Sequence, residues 1–274
     1  DNEMRIKQEL FLGIGGIRLL EKLGVKPTLF HCNEGHAAFC GLERLNIMVA
    51  KHNLEFDVAM ELVRSSTLFT THTPVSAGHD AFEEHLMRTY MSYYPSHVNI
   101  SWDKFMGLGR FRPNDPNEKF SMSVLATNLS DEVNGVSRIH GRVSREMFQQ
   151  LWPGYYAEEN HIGYVTNGVH LPTWADAKWQ RLFSKVMGED YLDNQSDFTV
   201  WEKMQDVPAS EIWDIRKELK HNLMEFIKVK LAEDMRKRQE SPSLIIKTID
   251  SLDENALIIG FARRFATYKR AHLL

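Results

Sequence analysis

Short apolar, β-prone runs alternate along this chain with longer segments of helical periodicity, and this alternation constrains the fold more than any other feature. The runs 28–31 and 67–71 are separated by two segments whose apolar residues recur at helical spacing, 38–49 and 58–65. A third apolar run, 162–165, comes later in the chain. Strands that alternate with helices form parallel sheets, and ligands collect at the carboxyl ends of such strands. The sequence therefore predicts an α/β fold built on a parallel sheet.

Helical periodicity covers much of the rest of the chain. Apolar residues recur at helical spacing over 3–22, where glycines interrupt the pattern, and again over 136–148. Two further helices are predicted at 175–187 and 210–239. The apolar run 256–262 predicts a last buried strand, with the start of a helix directly after it.

Charge, apolar run length and cysteine count exclude several classes of protein. The 33 basic and 37 acidic side chains leave a net charge of −4, so we expect neither a nucleic-acid nor a membrane partner. No apolar run approaches the roughly 20 residues that cross a bilayer. Cys32 and Cys40 predict buried free thiols in a reducing, cytoplasmic compartment. Because the chain opens on Asp1 inside a helical pattern and stops at Leu274 as a new helix begins, we expect a piece of a longer protein.

Three clusters of compact polar residues each follow an apolar run directly. If the strands are parallel, these clusters converge at one sheet edge, where their side chains can hydrogen-bond the hydroxyls of a sugar. Each cluster taken alone is equally typical of helix caps and turns. The clusters are Asn33-Glu34-Gly35-His36, Thr71-His72-Thr73-Pro74 and Thr166-Asn167-Gly168.

The histidines and cysteines near these clusters do not predict a metal centre or a thiol nucleophile. His31, His36, His72 and His79 lack the spacing of a metal-binding helix, so no metal is expected. Cys32 is adjacent to His31, and neighbouring residues of a strand point to opposite faces. Those two side chains therefore cannot form a nucleophile and its base.

A group of four cations near the end of the chain predicts a phosphate site. Arg263 and Arg264 follow the predicted strand, and Lys269 and Arg270 lie in the first turns of the predicted helix. A solvated basic helix face is the alternative, but cations near a helix N-terminus oppose the helix dipole. An anionic ligand offsets that repulsion, and arginine adds bidentate geometry for phosphate oxygens.

Taken together and in order, the motifs of this chain resemble those of the α-glucan phosphorylases, which act on glycogen, starch or maltodextrin. The form Gly78-His79-Asp80-Ala81-Phe82 is similar to that of the shorter bacterial and archaeal branch. Besides the three polar clusters, the motifs are Arg5-Ile6-Lys7-Gln8-Glu9, Val133-Asn134-Gly135-Val136-Ser137-Arg138-Ile139-His140 and Arg263-Arg264-Phe265-Ala266-Thr267-Tyr268-Lys269-Arg270.

The resemblance implies the two-domain glycosyltransferase architecture of glycogen phosphorylase, with Rossmann-like domains that are only partly present here. Residues 1–166 would be the second half of the N-terminal glucan-binding domain, and 167–274 the start of the C-terminal catalytic and cofactor domain. The implied reaction transfers the terminal glucosyl unit of an α-1,4-glucan to inorganic phosphate, giving α-glucose 1-phosphate with retention. It implies pyridoxal 5′-phosphate in the full-length enzyme, whose anchoring lysine lies outside this chain, so the chain alone is expected to be inactive.

The resemblance also implies roles for individual residues. Asn167 matches an asparagine that binds the 6-hydroxyl of the transferred unit, and Ala266 stands where the animal enzymes have histidine. Arg264 and Lys269 match residues that hold the substrate and cofactor phosphates, and His72 resembles a histidine whose main-chain carbonyl lies near the anomeric region. The resemblance places Arg263 and Asn134 on the cofactor side, and His36 and Glu34 on the glucan.

Two other functions stay open at this point. A nucleotide-sugar glycosyltransferase of the glycogen synthase type shares the two-domain cleft and also places basic residues against a phosphate. A non-catalytic glucan-binding module would use the polar clusters alone. The sequence leaves a homo-oligomer open as well.

Overall fold

The computed structural model describes residues 2–75, 78–263, 265 and 267–274. The chain forms two compact units, Asp1–Gly168 and Val169–Leu274. This boundary lies close to the predicted one, whereas the assignment of the two parts to glucan and cofactor domains stays a prediction. Within the described residues, no helix is both long enough and apolar enough to cross a membrane.

A four-stranded parallel sheet forms the centre of the first unit, which confirms the predicted α/β class. The spatial order of its strands is β1-β2-β5-β6, and every neighbouring pair is parallel. A separate antiparallel pair joins β3 to β4. The strands are β1 (Phe30–Asn33), β2 (Thr67–Thr70), β3 (Ala81–Phe82), β4 (Phe120–Ser121), β5 (Glu132–Gly135) and β6 (Ile162–Tyr164).

Helices connect and cover these strands. In the first unit they are α1 (Asn2–Leu10), α2 (Gly16–Lys22), α3 (Phe39–His52), α4 (Phe56–Arg64), α5 (Glu84–Met91), α6 (Tyr94–His97), α7 (Trp102–Gly107), α8 (Met122–Asn128) and α9 (Arg138–Phe148). In the second unit they are α10 (Leu171–Trp174), α11 (Ala177–Met187), α12 (Phe198–Glu202), α13 (Ala209–Lys237) and α14 (Pro242–Asp250).

The glycine-interrupted helix predicted at 3–22 is continuous in the structure. A wide helical turn, Phe11–Gly15, joins α1 to α2. A Cβ atom at Gly13 would lie 2.7 Å from Phe39 Cβ and 2.8 Å from the Cys40 nitrogen, so glycine lets this helix pack directly on α3. The core between them is apolar, and Ile6, Phe39 and Leu42 are fully buried.

Two strand assignments made from the sequence need correction. β5 was not predicted, because four residues that include glutamate, asparagine and glycine have low β propensity; it forms by pairing with β2 and β6 on both sides.

The strand predicted at 256–262 is wrong: none of these residues lies in a strand, and Leu257 is 87% exposed. A strand needs a neighbour for its backbone hydrogen bonds, and all six strands of the described residues lie between 30 and 164. The helix expected after it is replaced by two short 3-10 turns, Thr267–Lys269 and Ala271–Leu273.

Candidate functional site

The parallel strands end at one edge of the sheet, and their register sets polar residues side by side there. Asn33 of β1 pairs with Thr70 of β2, and Thr70 pairs in turn with Asn134 of β5. On the far side of β5, Asn134 pairs with Gly163 of β6. The three polar clusters therefore follow β1, β2 and β6 at the same edge, with the end of β5 between the second and the third.

Glu34 connects the first cluster to the second. Its Oε1 accepts a hydrogen bond of 2.7 Å from the His72 backbone nitrogen and one of 2.9 Å from Thr73 Oγ1. Its backbone has φ 64° and ψ 174°, a combination that side chains with a Cβ atom strongly avoid. Hydrogen bonds to charged groups are among the stronger ones in proteins, so this carboxylate fixes the start of the loop after β2.

The side chain of Asn134 makes two hydrogen bonds at the sheet edge. Its Oδ1 accepts a 2.9 Å hydrogen bond from Thr70 Oγ1, and its Nδ2 donates to the Gly135 carbonyl at 3.0 Å. Thr70 Oγ1 also lies 2.7 Å from His31 Nε2. The asparagine thus joins the ends of β2 and β5.

His36 lies in a cluster of charged residues that come from three separate segments. The Nη2 atom of Arg5 is 2.6 Å from His36 Nδ1 and 2.8 Å from Asp80 Oδ2, and His36 Nδ1 is 3.1 Å from the same oxygen. The Arg5 Nε atom is also 3.0 Å from Glu9 Oε1. Ligand atoms of Glu9, His36 and Asp80 lie within 4.8 Å of one another, but Arg5 already supplies a positive charge to this group.

The two carboxyl groups of this cluster have opposite pKa shifts. Burial, followed by the neighbouring Asp80, raises the pKa of Glu9 to about 9. Burial also opposes ionisation of Asp80, but hydrogen bonds with Arg5 and Glu9 outweigh it, so the pKa of Asp80 is lowered. At neutral pH the pair therefore holds one proton, on Glu9. Sequence reasoning singled out His36 but missed this grouping, for which the i,i+4 spacing of Arg5 and Glu9 on one helix face was the available signal.

Two further histidines contact the loops after β2 and β5. His79 Nε2 lies 3.2 Å from the Thr73 carbonyl oxygen, and its Nδ1 contacts Ser123 Oγ at 2.5 Å. His140 Nδ1 accepts a 3.2 Å hydrogen bond from the Val136 backbone nitrogen. Burial lowers the pKa of both histidines, so each is neutral near pH 7. Neutral buried imidazoles that contact backbone groups are structural supports for this edge.

The third cluster is more open than the first two. Asn167 is exposed, and its backbone nitrogen donates to the Val136 carbonyl at 3.1 Å. This bond ties the segment after β6 to the segment after β5. The Asn167 side chain is left accessible for a ligand.

The described part of the predicted phosphate segment does not lie at the end of a strand. Arg264 and Ala266 lie outside the residues that the structure describes. Arg263 is exposed, and its Nη1 donates to the Ala262 carbonyl at 3.1 Å. Lys269 Nζ lies 4.7 Å from the ring centroid of Tyr268. Their grouping at a strand end, predicted from the sequence, is therefore not seen here.

The two cysteines are buried free thiols, as predicted. Their sulfur atoms are 3.5 Å apart. The hydrogen bond with Cys40, together with burial, raises the pKa of Cys32, so this thiol is not ionised at neutral pH.

Comparison with known proteins decides the family. The family model described as carbohydrate phosphorylase matches residues 3–245, which is most of the chain. The chain belongs to the carbohydrate phosphorylase family. This confirms the resemblance stated from the sequence.

Curated phosphorylases match the whole length of the chain. The glycogen phosphorylase of Mycobacterium tuberculosis is 40% identical, covering 100% of this chain and 32% of its own length. The maltodextrin phosphorylase of Thermococcus litoralis is 39% identical, covering 99% of this chain and 31% of its own length. The glycogen phosphorylase of Aquifex aeolicus is 35% identical over 100% of this chain and 39% of its own length. The chain thus spans about a third of the length of these phosphorylases.

The residues assigned to the cofactor do not form a cradle in the described part of this phosphorylase chain. The amide of Asn134 is engaged by Thr70 and Gly135 within the sheet edge. Arg263 is exposed in a segment without a strand or an α-helix among its described residues. The described hydrogen bonds of both side chains are therefore made within the protein.

Proposed function

We propose that the protein carrying this chain phosphorolyses an α-1,4-glucan, giving α-glucose 1-phosphate with retention. Membership of the carbohydrate phosphorylase family supports this proposal, and so do relatives named glycogen and maltodextrin phosphorylase. The observation that carries it is the sheet edge, where Glu34 joins the polar clusters after β1 and β2 into one surface. Oriented polar groups at the carboxyl ends of parallel strands are where α/β proteins bind their ligands.

In this proposal the first unit binds the glucan. Asn167 is exposed and hydrogen-bonds the 6-hydroxyl of the transferred unit. His36, held by Arg5 and Asp80, faces the acceptor side of the scissile bond. The carbonyl of His72 lies near the anomeric region, and Glu34, whose carboxylate binds the His72 nitrogen, lies on the same side of the site.

In this proposal the basic residues of segment 263–270 bind phosphate. Arg264 and Lys269 hold the substrate phosphate, because fixed cations stabilise the charge that collects there during transfer. A phosphate group has a second pKa of about 6, so a bound phosphate can hold or release a proton at neutral pH. This makes a pair of catalytic carboxylates, such as glycosidases use, unnecessary.

Pyridoxal 5′-phosphate belongs to the proposal through the family alone. Arg263 and Asn134 are the residues that the resemblance assigns to it, although the described hydrogen bonds of both side chains are made within the protein. A cytoplasmic location also belongs to the proposal, and the buried free thiols Cys32 and Cys40 support it.

The test is phosphorolysis by the full-length protein that contains this sequence. Purified protein is mixed with maltoheptaose and inorganic phosphate, and α-glucose 1-phosphate is followed by phosphorus NMR, which also reports the anomer. We expect the α anomer to accumulate. Binding of maltoheptaose without any glucose 1-phosphate would instead indicate a non-catalytic glucan-binding module.

A further inference from the structure

Glu34 combines a strained backbone with a carboxylate that is used inside the protein. Its φ of 64° and ψ of 174° lie in a region that is essentially restricted to glycine. Residues persist in such conformations only when the surrounding structure holds them there, and they concentrate at functional sites. The strain at Glu34 therefore needs an explanation in terms of what surrounds it.

Contacts on both sides of Glu34 force this conformation. On one side, the Glu34 nitrogen donates to the Thr70 carbonyl at 2.9 Å, which continues the ladder between β1 and β2. On the other side, Gly35 packs so closely on the start of α8 that an added Cβ atom would lie 3.0 Å from Ser123 N and from the Met122 carbonyl carbon. The backbone must turn between these two fixed points, and Glu34 is the residue that turns.

The turn directs the Glu34 carboxylate at the loop after β2. Oε1 accepts from the His72 nitrogen at 2.7 Å and from Thr73 Oγ1 at 2.9 Å. The next carbonyl, that of Thr73, contacts His79 Nε2 at 3.2 Å. The two peptide units that flank the one carrying the His72 carbonyl are thus both held, which restrains the carbonyl between them.

We infer that Glu34 is a positioning residue, which acts on the reaction by fixing the His72 carbonyl through its own strained backbone. The inference rests on the proposed function, in which that carbonyl lies near the anomeric region. It goes beyond it by replacing the direct glucan contact that the resemblance implies for Glu34, since such a contact requires neither the strain nor the hydrogen bond with the His72 nitrogen.

Three substitutions in the full-length protein separate the parts of this inference. Glu34→Ala removes the carboxylate and keeps the strained Cβ, whereas Glu34→Gly removes the carboxylate and relieves the strain. Glu34→Gln keeps an oxygen that can accept the same two hydrogen bonds. Glu132→Ala is the matched control, because it removes an exposed carboxylate from β5 of the same sheet.

We expect kcat for maltoheptaose phosphorolysis to fall about 100-fold in the alanine and glycine variants, since misplacement by about 1 Å costs this much. The KM for maltoheptaose should stay close to that of the wild type, and Glu34→Gln should recover most of the rate. Glu34→Gly should unfold at a higher temperature than Glu34→Ala, although glycine normally destabilises relative to alanine. A residue that only stabilises the fold would leave kcat unchanged in every variant that remains folded.

Hydrogen exchange at the His72 amide tests the contact independently of activity. Exchange should be faster in the alanine and glycine variants than in wild type, Glu34→Gln and Glu132→Ala. Unchanged exchange, or an alanine variant that unfolds above the glycine variant, would overturn the inference even if the protein is a phosphorylase. A raised KM with unchanged kcat would make Glu34 a direct glucan ligand and overturn it as well. If the wild type lacks phosphorolysis, the proposed function fails. The hydrogen-exchange and unfolding data still decide whether the strained Glu34 holds the His72 amide.

Discussion

Glu9 is a carboxylic acid buried in the first unit beside a second carboxylate, Asp80. Because its pKa is raised to about 9, the folded protein holds a proton here that the unfolded chain loses above about 4.5. The folded state therefore binds more protons in this range, and stability should fall as pH rises from about 5 to 9. Glu9→Gln should remove this dependence, so its unfolding temperature should exceed that of the wild type increasingly toward pH 9.

The control for this experiment lies on the same helix. Glu3 is exposed and its pKa is lowered, so its contribution to the free energy of unfolding changes only below pH 5. Glu3→Gln should therefore follow the wild type between pH 5 and 9. Parallel curves for wild type and Glu9→Gln would mean that Glu9 is ionised in the folded protein.

Asn167 is the exposed residue proposed to contact the transferred glucosyl unit. Asn167→Ala in the full-length protein should lower kcat/KM by an amount equivalent to about 1–3 kcal/mol, because a sugar hydroxyl loses its partner in a closed site. The loss should shrink on a glucan whose terminal unit lacks the 6-hydroxyl. Equal losses on both substrates would give Asn167 a structural role instead.

Arg264 is proposed to hold the substrate phosphate. Arg264→Ala should raise the KM for phosphate far more than the KM for maltoheptaose, at a cost of roughly 3–4 kcal/mol if it behaves like loss of a preorganised electrostatic donor. Arg264→Lys should recover only part of this, because a point charge does not reproduce the bidentate guanidinium. Arg270→Ala serves as the control, because Arg270 is exposed and is assigned no role on either phosphate. An unchanged phosphate dependence in Arg264→Ala would remove this residue from the site.

At the scale of elements, the turn between β5 and α9 depends on a close approach at Gly135. A Cβ atom there would lie 2.8 Å from His140 Nδ1 and 2.9 Å from the Gly141 nitrogen. Gly135→Ala should therefore destabilise the protein by about 1–3 kcal/mol, since neither the buried imidazole nor the helix backbone can move away freely. Gly163→Ala in neighbouring β6 is the control, because its added Cβ would meet only the Val133 carbonyl oxygen, at 3.9 Å. Chemical denaturation of both variants measures the difference, and similar losses would show that β5 and α9 are not tightly joined.

At the scale of the whole molecule, the chain spans about a third of the phosphorylases that it matches. The proposed phosphate residues and the proposed glucan-binding sheet edge belong to different compact units, and the resemblance places the cofactor lysine outside this chain. We therefore expect residues 1–274 alone to release no glucose 1-phosphate from maltodextrin, while the full-length protein does. Phosphorolysis by the purified chain alone would contradict this division of the site.

The sequence predicts the α/β class, the two longest helices of the second unit and the polar clusters after strands, because hydrophobic period and turn chemistry are local properties. It could not predict β5, whose four residues become a strand only through neighbours on both sides. Nor could it predict that the run 256–262 is not a strand, since an apolar run specifies no partner.

The contacts of the candidate site depend on the tertiary structure. Arg5 meets Asp80 across 75 positions, and Glu34 reaches the His72 backbone across 38. Such pairings depend on how the strands are ordered and in which register they align, and no local pattern of residues encodes either.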